Sequence, residues 1–201
     1  MSTNALIQNL RNTRVVVIHP PDRDGEDLVR QLRRIGVQTS TQWPPAAQLP
    51  GPVDAIFFLL DGDLKKSMPW RTGDQPAAIA IVEYENPTIL KALIDSNAHA
   101  VLVRPIRPSG VLSTLLLALS QKGYETRLNA KVAKLEETLK TRREIEKATR
   151  ILMGLKNISE NDAYQLIRRQ ATAKRVSISV IASSIIRATE MLDGLRLDGD
   201  G

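Results

Sequence analysis

Short apolar or β-branched runs alternate with helical patterns over the first 120 residues, and this alternation restricts the folds open to the chain. Most runs are rich in Val, Ile, Leu and Ala, as expected of buried strands. A strand that is followed by a helix and a further strand builds a parallel sheet covered by helices. The sequence therefore predicts an α/β domain over residues 1–120. Its five strands are expected at residues 14–18, 37–43, 53–60, 78–82 and 100–103.

The helices of this domain have recognisable start and stop residues. Asp24 is expected to cap the first helix, and Gly36 is expected to end it. Asn86 followed by Pro87 predicts another start, since proline favours the first helical position. A further helix is expected to open at Pro108. These signals bound the helices that cover the predicted sheet.

Composition narrows the class of protein. The chain has 201 residues and 42% hydrophobic residues, enough for one ordinary domain plus a smaller unit. It has no cysteine, which excludes disulfides and thiolate chemistry. No apolar run reaches transmembrane length, and the first residues lack the apolar core of a signal peptide. We therefore expect a soluble, cytoplasmic protein that makes no contact with a membrane.

Residues 142–191 carry a second pattern, which predicts three helices with short breaks. The first helix has apolar residues at helical spacing and is broken at 156–157. Ser159 is expected to open the second helix and Ser177 the third. The pattern predicts a helical unit over residues 144–201.

The stretch between the two patterns, residues 121–143, is charged and carries few apolar residues. These are spaced by four, three and four positions, as in a coiled-coil seam. The spacing predicts a coiled-coil connector that joins two copies into a homodimer. A single solvated helix packed on its own domain is the alternative. The seam residues are Leu128, Val132, Leu135 and Leu139.

Four cations lie close together at the end of the second C-terminal helix and in the turn that follows. A cluster of this kind can neutralise the phosphates of a nucleic acid, and the net charge of +6 favours an anionic partner. The cluster is equally compatible with a solvated surface, because cations are favoured near a helix C-terminus. Its members, the basic cluster, are Arg168, Arg169, Lys174 and Arg175.

The three C-terminal helices resemble the ANTAR domain, the RNA-binding unit of bacterial transcription antiterminators. The resemblance implies RNA contacts by Thr149, Arg150 and the basic cluster, and core packing by Tyr164. Thr149 stands where the family usually has lysine, and Arg150 points about 100° further round the helix. The matching positions are Ala148, Leu152, Met153, Ala163, Tyr164, Ile167, Arg168, Ala171, Ile181, Ala182 and Ile185.

The N-terminal pattern resembles the receiver domain of response regulators, which has a flavodoxin-like fold. Receivers place an acidic pair after strand one, an aspartate phosphoacceptor at the end of strand three and a lysine–proline pair after strand five. The corresponding positions here hold His19 with Pro20, then Leu59, then Arg104. Phosphoryl transfer needs carboxylates for Mg²⁺ and for attack, and a lysine on the product charge. We therefore predict a pseudo-receiver with a degenerate phosphoacceptor region at Leu59 and Asp61.

Three loop carboxylates, Asp22, Asp24 and Asp61, remain near the predicted pocket. They either form an improvised acidic site or are simply solvated, as loop acids usually are. His19 and His99 are isolated, and neither a Gly-rich phosphate loop nor a Ser-His-Asp order occurs. We therefore expect no enzyme activity, no metal site and no cofactor.

Four segments narrow the resemblance to the antiterminators of aliphatic amidase operons. In that branch of the family the pseudo-receiver is held by an amide-sensing partner with a periplasmic-binding-protein fold. An amide relieves the restraint, and no phosphate is involved. The resemblance implies the same kind of partner here. The segments are residues 20–21, 28–36, 43–45 and 82–87.

These patterns together predict a homodimeric regulator that binds a leader-RNA hairpin and prevents terminator formation. A phosphorylation-controlled response regulator is one alternative, but it would need a carboxylate in place of Leu59. A helix-turn-helix DNA-binding regulator is another, but residues 176–186 carry no cation or amide to recognise base edges. In a scaffolding coiled-coil protein, the third alternative, the basic cluster would be incidental.

Overall fold

The computed structural model describes residues 10–68 and 75–197, and the chain divides into two compact units. The first unit extends to Leu128, and the second begins at Asn129. Each unit has its own buried apolar residues.

Five parallel strands form the sheet of the first unit in the order β2-β1-β3-β4-β5, which confirms the predicted flavodoxin-like α/β domain. In the centre of the sheet, Val15 of the first strand pairs with Thr39 on one side and Ala55 on the other. The central strands are buried because helices cover both faces of the sheet. The strands are β1 (Arg14–Ile18), β2 (Gln38–Thr41), β3 (Ala55–Leu59), β4 (Ala77–Val82) and β5 (Ala100–Val103).

Two apolar clusters lie on opposite faces of this sheet, because successive strand residues point to opposite sides. Val17 belongs to the cluster that contains Leu28 and Leu115, and Ile18 belongs to the cluster that contains Ile89. A short 3₁₀ turn, Leu10–Asn12, precedes the sheet. The helices of this unit are α1 (Arg23–Ile35), α2 (Leu64–Ser67), α3 (Pro87–Ser96) and the first part of α4 (Val111–Lys156).

The start of α1 differs from the prediction. Asp22, not Asp24, is the cap: its side chain accepts a hydrogen bond from the Gly25 backbone N–H at 2.9 Å. The Asp24 carboxylate is bonded elsewhere. At the other end of α1, Gly36 has φ of 93° and caps the helix as predicted. Asn86 caps the N-terminus of α3, also as predicted.

The start of α4 also differs from the prediction. The helix begins at Val111, three residues after Pro108, because Gly110 has φ of 105° and interrupts the helical conformation. From there α4 continues without a break to Lys156, 46 residues in all. The predicted boundaries at residues 120 and 143 both lie inside it, and the three-part division of the chain stays a prediction.

The second unit is the predicted three-helix unit, built from the end of α4, α5 (Glu160–Lys174) and α6 (Ile178–Leu197). Asn157, with φ of 52°, ends α4 at the predicted break, and Ser159 caps α5. The end of α5 is at Lys174 rather than near Thr172. The core of this second unit consists of Ala148, Leu152, Ala163, Ile167, Ala171, Ile181, Ala182 and Ile186. Within the ranges described, none of the helices has the length and apolar character required to cross a bilayer.

Candidate nucleic-acid interface and degenerate receiver pocket

An arginine closes the pocket at the carboxyl end of the sheet. Arg104, just after β5, donates from Nε to Asp24 Oδ2 at 2.6 Å and from Nη2 to Asp22 Oδ2 at 3.0 Å. The backbone N–H of Ile106 donates to the other Asp24 oxygen at 3.2 Å. The hydrogen bond from Arg104 holds the pKa of Asp24 below its usual value, and the same bond raises the pKa of Arg104. Two of the three loop acids are therefore neutralised inside the protein.

The third loop acid, Asp61, forms hydrogen bonds within its own loop. It accepts from the Ser67 hydroxyl at 2.8 Å and from the Asp63 backbone N–H at 3.0 Å. Within the described part of the chain, no group of three acidic or histidine side chains is placed to hold a metal ion. The hypothesis that Asp22, Asp24 and Asp61 form an acidic site is therefore wrong. Arg104 pairs with Asp22 and Asp24, and Ser67 donates a hydrogen bond to Asp61.

Leu59 ends β3 at the position where receivers carry their phosphoacceptor. It is half-buried, pairs with Ile81 of β4 in the sheet and packs against the apolar cluster on the α1 side. Since the side chain is aliphatic and packed, this position offers no oxygen for phosphoryl transfer.

The basic cluster lies at the junction of α5 and α6. Arg168 and Arg169 are exposed on the last turns of α5, and Lys174 is its exposed last residue. No ion pair joins any of the four cations to a carboxylate of the described residues. Their charges are therefore available to an external anion.

Arg175 has an unusual backbone conformation. It caps α5 with φ of 55° and ψ of 40°, and its backbone N–H bonds to the carbonyls of Ala171 and Thr172. Glycine or asparagine usually fills this left-handed position, because a side chain there is crowded. An arginine at this place is not explained by the needs of the cap.

The two predicted contacts on α4 differ in exposure. Arg150 is exposed, and its Nε lies 3.5 Å from the carbonyl of Glu146. Thr149 is only 5% exposed. The resemblance implied that Thr149 belongs to the exposed RNA-binding surface. In the structure it lies instead on the floor of a groove.

This groove, between α4 and α5, has a volume of about 760 Å³. Tyr164 is 38% exposed in its wall, so the prediction that Tyr164 packs in the core is wrong. The core stripe of α5 runs through Ala163, Ile167 and Ala171, and Tyr164 lies at the edge of this stripe, about 60° around the helix from Ile167. The α4–α5 groove is lined by Thr138, Thr141, Arg142, Ile145, Glu146, Thr149, Glu160, Asn161 and Tyr164.

A second groove, of about 520 Å³, separates α4 from α6 and contains cations that the sequence did not single out. Lys147 there pairs with Glu190 at 2.8 Å, and Ser183 donates to Glu144 at 3.0 Å. The remaining cations of this groove are Lys140, Arg143 and Arg187.

The predicted dimerisation seam is exposed along α4. Its residues range from 45% exposure at Val132 to 63% at Leu135. Leu117 and Tyr124, which the prediction omitted, are also exposed and precede Leu128 by eleven and four positions. Spacings of this kind keep side chains on one side of a helix.

A receiver-like sheet with leucine at the end of β3, in one chain with a three-helix unit that carries exposed cations, defines a regulatory protein of two modules. The chain matches two family models. Residues 13–119 match the one described as AmiR, N-terminal, and residues 133–186 match the ANTAR domain. The chain belongs to the aliphatic-amidase-regulator family of ANTAR-domain transcription antiterminators.

Curated relatives agree with this family, and a solved structure shares the fold. The chain is 30% identical over 197 residues to the aliphatic amidase regulator of Pseudomonas aeruginosa, covering 92% of this chain and 97% of that protein. It is 28% identical over 108 residues to the transcriptional regulatory protein PdtaR of Mycobacterium tuberculosis, covering 54% and 53% respectively. The structure of the response regulator StyR has a TM-score of 0.51 at 13% identity and covers 88% of this chain and 98% of that one. The last likeness concerns the fold alone.

Proposed function

We propose that the protein binds a hairpin in the leader of a nascent RNA and so prevents the terminator from forming. The observation that carries this proposal is the basic cluster, four exposed cations without carboxylate partners among the described residues, placed in an ANTAR domain. Each cation can replace a counterion on an RNA phosphate, and counterion release drives binding. The protein acts in the cytoplasm and catalyses no reaction.

The four cations have different geometric roles. Arg168 fills the arginine position of the family motif, and Arg169 points about 100° away around α5. Arg168 therefore reaches a loop base or its phosphate, and Arg169 contacts the backbone only. Base contacts give sequence preference, whereas phosphate contacts add affinity without it.

Two copies of the chain pair through the exposed seam on α4. An unpaired stripe of Leu and Val along one side of a helix is stabilised by burial against a second such stripe. A homodimer presents two ANTAR units, and the second binding event then becomes intramolecular.

A protein partner, rather than phosphate, controls the regulator. The pocket that would accept phosphate is occupied by Arg104 and its two carboxylates, and Leu59 replaces the phosphoacceptor. The relative from Pseudomonas aeruginosa is named as an aliphatic amidase regulator. We infer a ligand-sensing partner of the periplasmic-binding-protein type, responsive to an amide.

The test is titration of hairpins with the full chain at several salt concentrations. The probe is a pool with one fixed stem and a randomised loop, from which bound members are sequenced. Arg168→Ala is expected to erase loop preference. Arg169→Ala and the pair Lys174→Ala/Arg175→Ala are expected to weaken binding to all hairpins. The slope of the log binding constant against log salt concentration, the salt slope, should fall by roughly 0.7 to 0.9 per lost contact.

Lys91→Ala, an exposed cation on α3, is the matched control and should bind like the parent. Each variant must remain a dimer, since lost avidity would mimic a lost contact. A parent that prefers duplex DNA of any sequence to hairpins would contradict the proposal.

A further inference from the structure

We propose that the α4–α5 groove holds one unpaired base of the bound RNA, stacked on Tyr164, with Thr149 and Asn161 recognising its edge. This inference rests on the proposed RNA binding and adds a base-specific subsite to it. The groove volume of about 760 Å³ lies in the range of small-molecule sites.

Tyr164 supplies the stacking surface. It is 38% exposed, lines the groove and is the aromatic residue of the second unit. RNA-binding proteins recognise unstacked loop bases on such rings, because every base presents a π-face. The exposed part of the Tyr164 ring is therefore available to a planar ligand in the groove.

One member of the basic cluster, Arg168, lies on the same side of α5 as two of the residues that line the groove. Asn161, Tyr164 and Arg168 are spaced by three and four positions on α5, so they lie on one side of the helix. A nucleotide whose base enters the groove would leave its phosphate at the rim, on the side of Arg168. One strip of α5 thus offers an amide, a ring and a guanidinium in the order that a nucleotide requires.

Thr149 provides an independent observation. It is 5% exposed as a residue and lines the groove, and its hydroxyl makes no hydrogen bond to any residue that the structure describes. The hydroxyl oxygen is not one of the fully buried polar atoms without a partner, so it remains accessible from the groove. A threonine hydroxyl in a helix can instead bond to the carbonyl four residues earlier. Thr126 and Thr138 of α4 do so, at 2.9 and 2.8 Å. The free hydroxyl of Thr149 can donate to or accept from a base edge.

The charges of the groove select a base over a phosphate. Its cation, Arg142, already donates to Glu146 at 3.0 Å, and Glu160 adds a second carboxylate. Carboxylates repel phosphate but accept hydrogen bonds from exocyclic amino groups. The site therefore favours adenine, guanine or cytosine over uracil.

The experiment uses the full chain and the hairpin that the randomised pool selects most strongly. Each loop position is replaced in turn by the fluorescent base 2-aminopurine. One position is expected to be quenched on binding, and the quenching is expected to disappear in Tyr164→Leu but to persist in Tyr164→Phe. Affinity for the unlabelled hairpin should fall roughly ten-fold to one-hundred-fold in Tyr164→Leu, with an unchanged salt slope. Tyr84→Leu, which removes an exposed tyrosine of the first unit, is the control.

Thr149→Val separates a role in binding from a role in folding. Removal of a hydroxyl that makes no hydrogen bond within the described residues should leave Tm unchanged, while affinity for the selected hairpin falls roughly five-fold. A lower Tm with unchanged affinity would mean that the hydroxyl is structural, and would overturn its role in the subsite.

The outcomes distinguish this inference from the function on which it rests. If the parent binds no hairpin, both fail. If removal of the basic cluster weakens binding but no loop position shows quenching that depends on Tyr164, RNA binding stands and the base subsite is wrong. If Tyr164→Leu does not fold, a parent that quenches no loop position would still overturn the subsite, and Thr149→Val tests it with a second variant.

Discussion

Arg104 Nε lies 2.6 Å from Asp24 Oδ2, although 80 positions separate the two residues in the sequence. The contact joins the end of β5 to the first turn of α1 and is completed by Asp22 at 3.0 Å. Both partners are mostly shielded from solvent, with side-chain exposures of 20% and 17%. The corner of the fold where a receiver would use lysine and acids to bind phosphate holds an internal ion pair in this protein.

Loss of the Asp24 carboxylate should destabilise the first unit. Because the pKa of Asp24 is lowered in the folded protein, its contribution is present above the ordinary value of 3.8 and is lost as pH falls through the folded pKa. Asp24→Asn should cost about 2 kcal/mol at pH 7, and the difference from the parent should shrink below about pH 3.8. Urea unfolding at pH 7 and pH 3 measures it.

Asp27→Asn is the control for that experiment, since Asp27 pairs with the well-exposed Arg30 on the same helix. Exposed pairs of this kind contribute about 0.2 to 1 kcal/mol. An equal effect of the two substitutions at pH 7 would show that the Arg104 pair has no special role.

Phosphorylation should not occur. The full chain is incubated with a small phosphodonor and Mg²⁺, and its intact mass is measured. No adduct is expected, because Leu59 cannot accept phosphate and Arg104 occupies Asp22 and Asp24. An acid-labile adduct that disappears in Asp61→Asn would overturn the pseudo-receiver assignment.

Dimerisation should depend on the seam of α4. Leu135→Asp with Leu139→Asp would place charges against apolar neighbours in the dimer, at a cost of several kcal/mol or more. Sedimentation should then show a monomer that retains its folded first unit. Ala130→Asp, on the opposite side of α4, should leave the dimer intact. A seam variant that dimerises like the parent would place the interface elsewhere.

Arg175 should be needed for RNA and not for the fold. Arg175→Asn keeps a residue suited to the left-handed cap, so stability should be unchanged or higher by about 1 kcal/mol. Affinity for hairpins should fall, and the salt slope should decrease by roughly 0.7 to 0.9. Thermal unfolding and salt-dependent titration give the two numbers. An affinity equal to that of the parent would make Arg175 a solvated cap residue.

The sequence predicted those features that depend on local periodicity. The strands, the three C-terminal helices and the break at Asn157 follow from runs, spacing and caps within a few residues. The cap of α1 was placed two residues late, because Asp22 and Asp24 are both suitable by type. In the structure Asp22 caps with one oxygen and pairs with Arg104 through the other, whereas Asp24 bonds to Arg104 and to the Ile106 backbone N–H.

The site was predicted less completely than the fold. A cluster of cations in a row is visible in sequence, but the groove depends on how α4 and α5 pack, and its burial of Thr149 cannot be inferred from neighbouring residues. Tyr164 was assigned to the core by its motif, and its place at the edge of the stripe of Ala163, Ile167 and Ala171 allows either core packing or exposure. The packing of α4 against α5 decides between the two.

The packing of Leu59 limits what a single substitution can do at this site. An aspartate in its place would set a charge against Ile81 and the apolar cluster on the α1 side, while Arg104 remained paired with Asp22 and Asp24. An engineered phosphate switch would therefore need new packing around β3 as well as a new carboxylate.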